Sequence, residues 1–453
     1  MISSLQKISL FESILLILIV LGILGGIMIF VPGATPHFAV FTAIVFLLIY
    51  GLIKGVKYND MQDSMAHSVH TSLNAIYLFF FIGILISSLM MSGAIPSLMY
   101  YGFNIMSTNT FYLSCFVLTS IIGVAIGSSL TTVSTIGVAL LGISSAFGAN
   151  PAITAGAIVS GAFFGDKMSP LSDTTTTASS IVGVDLFEHI KNMGRTTVPM
   201  FIVSSIVYYL LSLNLDIQNV DNVEAFKSGL ISTGLVHIYS LIPFVILIIL
   251  AIFKVSSIVS MLITSLTGIA ISYLHSTPSL ATLADYFFSG YSQNNLPGNV
   301  VRLVSRGGIS SVFFTITIII LALSLGGLLF SLGIVSTILN SVESKLNSKF
   351  KATLAVALTA VGINYIVGEQ YLSILLSGET FKPVYARLNL HPKHLSRTLE
   401  DAGTVINPLV PWSVCGVFIS SALGVSVLDY IPYAIFCYGC LIFTIISGLF
   451  KDY

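Results

Sequence analysis

Two carboxylates, one lysine, one proline and seven Ser/Thr hydroxyls fall within GAFFGDKMSPLSDTTTTAS, residues 161–179 of a chain in which only 8% of residues are charged. Asp166, Ser169, Asp173 and Thr174 are oxygen donors, and a hard cation such as sodium takes several oxygens at once, including carbonyls freed where a helix is interrupted. A second hydroxyl set, Ser128, Ser129, Thr131 and Thr132 in GSSLTT, lies upstream. A carboxylate in such a set can also exchange its cation for a proton, because burial favours the neutral acid and a bound cation favours the ionised form. One site, with Na+ at Asp166 and Asp173, then serves two ions in turn. Lys167 reads as a counter-ion for these carboxylates.

The second half of the chain repeats the chemistry. Glu369 is the single charge between Lys351 and Glu379, and EDAGTVINPLVPW, 400–412, brings Asp401 and Asn407 together with two prolines. A plainer reading stands beside this one. Asp166 and Lys167 form a loop ion pair at the cytoplasmic surface, Asp173 caps the helix that opens in the threonine run, and Glu400 and Asp401 cap a helix start.

The elements that position these groups follow from hydropathy. Of the 453 residues 55% are hydrophobic, and the mean hydropathy of +0.98 is that of an integral membrane protein. The net charge is zero and there are no runs of like charge, which gives no footing for nucleic acid. Cys115, Cys415, Cys437 and Cys440 sit in apolar segments and read as packing residues rather than metal ligands. Uncharged gaps long enough to span cover 13–31, 36–53, 71–93, 196–215, 228–253, 255–274, 307–341, 402–428 and 430–450. The gap at 13–31 is too long for a cleaved secretory signal and is expected to remain as a helix. Between Asp63 and Asp166 lie 102 residues without Asp, Glu, Lys or Arg, so this tract enters the membrane several times through neutral connections.

Basic residues in short loops set orientation. Lys7, Lys54, Lys57, Lys191, Arg195, Lys254, Lys345, Lys349, Lys351, Lys382, Arg387, Lys393, Arg397 and Lys451 are assigned to the cytoplasm with both termini. The acidic loop with Asp216, Asp221 and Glu224 lies outside, joined by Arg302 and Arg306 as exceptions. The apolar stretch 352–378 then has cytoplasmic flanks at both ends, which a re-entrant hairpin satisfies, with its turn near Asn364 and Glu369. The stretch 119–144, polar at its centre, reads as the matching hairpin from outside. Pro151 to Gly165 reads as a helix that Gly165 and Pro170 break, leaving Asp166 to Thr174 unwound, and 399–428 as its counterpart. Irregular backbone at membrane depth is tolerated only against protein or a water-filled cavity. The chain thus reads as an all-α polytopic membrane protein of two inverted repeats, 1–227 and 228–453, each with a re-entrant hairpin and a discontinuous transmembrane helix (151–180 and 399–428). Inverted repeats with matching interruptions point to a secondary transporter with its site between them.

The strings SGAFFGDKMSPLSDTTTTASS, GVDLFEHIKNM and LEDAGTVINPLVPWS resemble the signature segments of the NhaC-type sodium/proton antiporter family, within the broader ion transporter superfamily. The likeness runs over nearly the whole chain, although Thr176 stands where members often carry Asn. The resemblance implies the inverted-repeat architecture, commonly as a homodimer. It places the family's motif carboxylates on Asp166 and Asp173, with Ser169, Pro170 and Thr174 in the same string.

Both lines lead to a Na+/H+ antiporter in the cell membrane that takes sodium out for protons by alternating access and needs no cofactor. The alternative is a coupled exchanger of small organic acids, of the malate/lactate type, or of amino acids. It would have to hold a carboxylate on helix N-termini, Ser/Thr-rich tips, Asn364, Asn407 or Lys167, because neither hairpin nor either broken helix carries an arginine. A passive channel fits less well with carboxylates at a midplane break. An enzyme is not expected: HExxH and GxSxG strings are absent, and GVAIGSSLTT lacks the lysine of a phosphate-binding loop.

Overall fold

Every regular element of the computed structural model is helical among the residues it describes, 5–71, 73–213, 215, 220–253, 255–293, 305–343 and 346–450. Asp216, Lys254, Arg302, Lys345 and Lys451 lie outside those residues. Among the described residues seven helices are long and apolar enough to cross a membrane, and three bent pairs raise the number to ten. Leu18, Phe41, Ile49, Ile202, Ile206 and Leu266 stand exposed on the outer helix faces, an apolar surface suited to lipid. The chain is an all-α polytopic membrane protein.

Two hairpins enter the middle of this bundle. In the first, Phe111–Ile126 ends at Gly127, whose φ of 71° terminates the helix in the left-handed region that glycine adopts at low cost. Ser128 then caps the return arm, which runs through Val138–Phe147. The rings of Phe111 and Phe147 meet with centroids 5.3 Å apart, so the two ends of the hairpin close on each other. In the second, Lys349–Val367 ends at Gly368 with φ 74°, and Glu369 caps Gln370–Arg387. Ser373 Oγ donates to the Ala360 carbonyl at 2.7 Å, and Thr353 and Tyr385 hydroxyls lie 3.5 Å apart, an antiparallel register. The arms extend beyond the windows 119–144 and 352–378, because apolar residues continue the first hairpin's helices outward from Thr119 and charged residues at 349–351 and 379–387 still continue those of the second.

The first broken helix differs from the sequence expectation. Pro151–Met168 runs without interruption through Gly165, and the break is confined to residues 169–172 before Asp173–Val182 begins. Gly165 serves packing instead. A Cβ built there would lie 2.4 Å from Gly123 Cα and carbonyl carbon, so this glycine lets two helix backbones touch. Asp166 and Lys167 are consequently in the last helical turn rather than in unwound chain. The second broken helix is Pro392–Leu399, a π turn at Glu400–Thr404, a short 3-10 turn at Asn407–Leu409, and then Val414–Leu423. Its two parts are bent by 45°.

The hairpins and broken helices are arranged alike in both halves. Gly127 packs against Leu171 and Ser169, and Gly368 against Trp412 and Ser413, so each hairpin tip sits on the break of its own broken helix. In each half the first hairpin arm runs parallel to the broken helix: Tyr112 contacts Asn150 and Gly123 contacts Gly165, while Asn364 contacts Ala402 and Gly368 contacts Ser413. The two broken helices run antiparallel to one another. Ala152 shares a cleft with Val425, Lys167 meets Asp401, and Ala178 packs in one cluster with Leu395 and Leu399.

Polar contacts also define two opposite faces. Lys393 pairs with Glu188 at 3.3 Å, Asn192 donates to the Lys393 carbonyl, Lys382 donates to the Ile181 carbonyl, and Lys349 reaches the Phe450 carbonyl. At the other end, Arg306 donates to the Ala422 carbonyl at 2.8 Å, near Gly424 and Pro151.

Candidate functional site

The chemistry gathers where the antiparallel broken helices pass each other. Asp166, in the final turn of Pro151–Met168, is only 5% exposed. Its Oδ2 accepts from the Ser129 hydroxyl at 2.6 Å and from the Ser129 backbone N–H at 3.2 Å, so the first hairpin tip clasps the first break. Charge-assisted bonds of this kind are the stronger ones. Around the break the other hydroxyls serve the chain ends. Ser169 Oγ accepts from the Leu171 N–H at 3.2 Å, and Ser172 Oγ accepts from the Thr175 N–H and lies 3.0 Å from the Thr174 hydroxyl. Thr175 donates to the Lys167 carbonyl at 3.2 Å, one of the carbonyls the helix end leaves open.

Asp173 is not the cap expected for the threonine-run helix. Ser172 is the N-cap, and Asp173 follows it as the first helical residue with its side chain exposed, where a carboxylate complements the helix dipole. Ser128, Thr131 and Thr132 open the return arm of the first hairpin. Ser128 Oγ accepts from the Thr131 hydroxyl and N–H, and Thr132 donates to the Ser128 carbonyl at 2.9 Å.

Lys167 is wholly buried and pairs with Asp401 of the other half, not with Asp166 at a surface. Asp401 Oδ2 also accepts from the Thr196 hydroxyl at 2.9 Å. The pair therefore ties three elements: the first broken helix, the Leu186–Leu213 helix and the π turn. Glu400 and Asp401 do not cap a helix start. They stand inside a continuous helical segment, both fully buried, and a π turn is a helical distortion frequently found at functional sites.

Asn364 and Asn407 are committed to the scaffold. Asn364 Nδ2 donates to the carbonyls of Gly403 at 2.7 Å and Ala402 at 3.1 Å, while Asn407 Nδ2 donates to Asn364 Oδ1 at 2.8 Å. Asn407 Oδ1 accepts from the Cys415 N–H at 3.0 Å. Between them they stitch the second hairpin to the second break. Glu369 is 1% exposed and turns back on its own helix, Oε2 accepting from the Leu372 N–H at 2.7 Å.

The structure thus brings Ser129 and Asp166 together, and Lys167 with Asp401, and leaves Glu369 on the second tip as a cap. Sequence reasoning does not find Thr196 as the partner of Asp401, and it gives Glu400 only a capping role. No spacing in the sequence links residues 196 and 401. The capping role of Ser172 is also missed, because Asp173 beside it is an equally good cap by type and only the actual helix start tells them apart.

Paired hairpins, paired interrupted helices and a buried, charged crossing between them define a secondary transporter. The sequence profile of the Na+/H+ antiporter family matches residues 161–451. The chain is 38% identical to the Na+/H+ antiporter NhaC of Alkalihalophilus pseudofirmus, over 95% of this chain and 94% of that protein. It is 36% identical to NhaC of Bacillus subtilis, over 93% and 94% respectively. It is also 32% identical to the malate-2H+/Na+-lactate antiporter of Bacillus subtilis, over 97% and 94%. The chain belongs to the Na+/H+ antiporter family.

Proposed function

We propose that the protein exchanges cytoplasmic sodium for external protons by alternating access, with sodium held at Asp166 and Asp173. The observation that carries this reading is the Ser129 clasp on Asp166. It sets a nearly buried carboxylate, a hydroxyl at 2.6 Å and the end of a helix with its open carbonyls at one point. Those are the hard oxygen donors a dehydrated Na+ needs. When the cation enters, Ser129 can turn its oxygen lone pairs from the pairing it makes with Asp166 to the ion, so binding and tip position are coupled. The like arrangement of the two halves and the antiparallel broken helices support a reading as two inverted repeats, 1–227 and 228–453, that rock about the crossing. The basic face formed by Lys349, Lys382 and Lys393 is assigned to the cytoplasm, with both termini. If the proton to sodium ratio differs from one, the membrane potential adds about 2.3 kcal/mol per net charge per 100 mV to the driving force.

The malate/lactate relative keeps an organic-acid reading in view. Against it, Lys167, the cation nearest the first break, is already paired with Asp401, and the Asn364 and Asn407 amides are spent on the scaffold.

The two readings separate in proteoliposomes carrying a trapped pH dye. External sodium with no organic solute is expected to alkalinise the lumen in a saturable way, and Asp166→Asn is expected to abolish the signal. A pH change that waits for added malate, lactate or an amino acid would replace the antiport reading with the organic-solute one.

A further inference from the structure

Asp166, Glu400 and Asp401 place three carboxylates around the single ammonium of Lys167, each at most 5% exposed. In a low-dielectric interior such an excess of negative charge must be compensated. Asp401 takes Lys167, and Asp166 has two donors from Ser129. Glu400 has neither. It is fully buried, and both Oε1 and Oε2 lack a hydrogen-bond partner among the described residues. The Thr404 hydroxyl lies beside it without completing a hydrogen bond and is itself unpartnered.

We infer that Glu400 is the carboxyl group that carries the proton, separate from the sodium site at Asp166. The inference rests on the antiport reading above and adds to it a second titrating position. A carboxylate stripped of donors is costly to bury, whereas the neutral acid is tolerated and can donate a hydrogen bond to a neighbour such as the Thr404 hydroxyl. Sodium at Asp166 and a proton on Glu400 each cancel part of the same excess negative charge, so either one, once bound, weakens the attraction for the other. Each ion then disfavours the other through the shared Lys167–Asp401 pair, and the competition becomes exchange.

The surroundings fit a proton path. His189, Asn192 and Thr196 lie on one face of the Leu186–Leu213 helix, leading from the Lys393 contact at the basic face to Asp401. Among the described residues, His189 is fully buried with both ring nitrogens unpartnered, and Asn192 Oδ1 is likewise buried without a partner. Buried polar groups are rarely left so. The titratable groups facing the turn are Asp166, Lys167 and Asp401, with Cys440 and His189 beside Lys167. Arg397, on the preceding turn, is directed at Ser447 Oγ at 2.6 Å. The second hairpin meets the turn with Ser373, Ile374 and Asn364, none of which titrates.

The test compares wild type, Glu400→Gln and Asp166→Asn in proteoliposomes by two fluxes: tracer sodium exchanging for sodium, and sodium-driven proton movement. Glu400→Gln, which mimics the protonated state, is expected to keep tracer exchange and lose proton movement, while Asp166→Asn loses both. Retained proton movement in Glu400→Gln overturns the inference, and so does loss of both fluxes in a Glu400→Gln protein that elutes like wild type. If Glu400→Gln does not fold, Glu400→Asp is expected to shift the pH dependence of exchange, and an unchanged profile overturns the inference. Infrared difference spectroscopy gives a readout independent of transport. A protonated carboxylic acid carbonyl band that Glu400→Gln or Glu400→Asp alters supports the assignment, and a band unaltered by substitution refutes it. Wild type without any sodium-linked proton movement would sink the antiport reading itself, and the infrared result would still decide Glu400.

Discussion

Lys167 shows at the scale of one residue what sequence could and could not supply. Its type and its place inside GDKMSPLSD mark it as a charge that the membrane would not tolerate alone. Its partner is 234 residues away, so only the fold identifies Asp401. The carboxylates of the first knot were legible because type and spacing were both local. Asn364 and Asn407 were legible as polar groups but not as scaffold, since their partners are backbone atoms of other segments. Breaking one side of a buried ion pair costs about 3–5 kcal/mol, because the remaining charge stays buried without compensation. Lys167→Met is therefore expected to lower the melting temperature in detergent strongly, and Lys167→Met combined with Asp401→Asn to recover much of the loss. Equal destabilisation by the single and double variants would show that the pair is not coupled.

At the scale of elements, the same residue type can end a helix or pack it. Gly127 and Gly368 end helices with φ above 70°, and each then rests on a break. Gly165 reads in the sequence as a breaker because it stands next to polar residues and a following proline, yet it lies inside a helix pressed against Gly123. Neither outcome is visible in the residue itself, for the deciding contact is with another helix. A methyl group at Gly165 would meet backbone atoms at 2.4 Å that cannot rotate away. Gly165→Ala is thus expected to destabilise by about 1–3 kcal/mol and to shift Asp166 away from Ser129, with a matching loss of sodium-dependent flux. Gly362, inside Lys349–Val367, provides the contrast, since a methyl group added there would meet nothing within 4 Å. Gly362→Ala is expected to raise stability by up to about 1 kcal/mol through helix propensity. Melting temperatures that move together in both variants would refute this distinction.

For the whole molecule, gaps between charges located individual spans, as at 13–31 and 36–53, where Leu10–Phe30 and Pro36–Ile53 lie, since the bilayer imposes a minimum apolar length. The gaps left open which ends lie together, because a neutral tract of 102 residues offers no basic residue to orient it. The structure supplies that link through contacts. Asn192 and Lys393 join the starts of the Leu186–Leu213 and Pro392–Leu399 helices on one face, whereas Asp429 lines a cleft with Pro151 on the other. Cys115, Cys415, Cys437 and Cys440 are all buried, so an introduced cysteine at a surface position is a clean reporter of sidedness. Both Lys191 and Asp429 are exposed. In intact cells a membrane-impermeant maleimide is expected to label Asp429→Cys and to spare Lys191→Cys, with the reverse in inverted vesicles. The opposite pattern would turn the protein over in the membrane while leaving its two faces intact. Labelling of both from one side would refute the proposed inverted relation between the halves, because antiparallel broken helices require their outer ends to emerge on opposite faces.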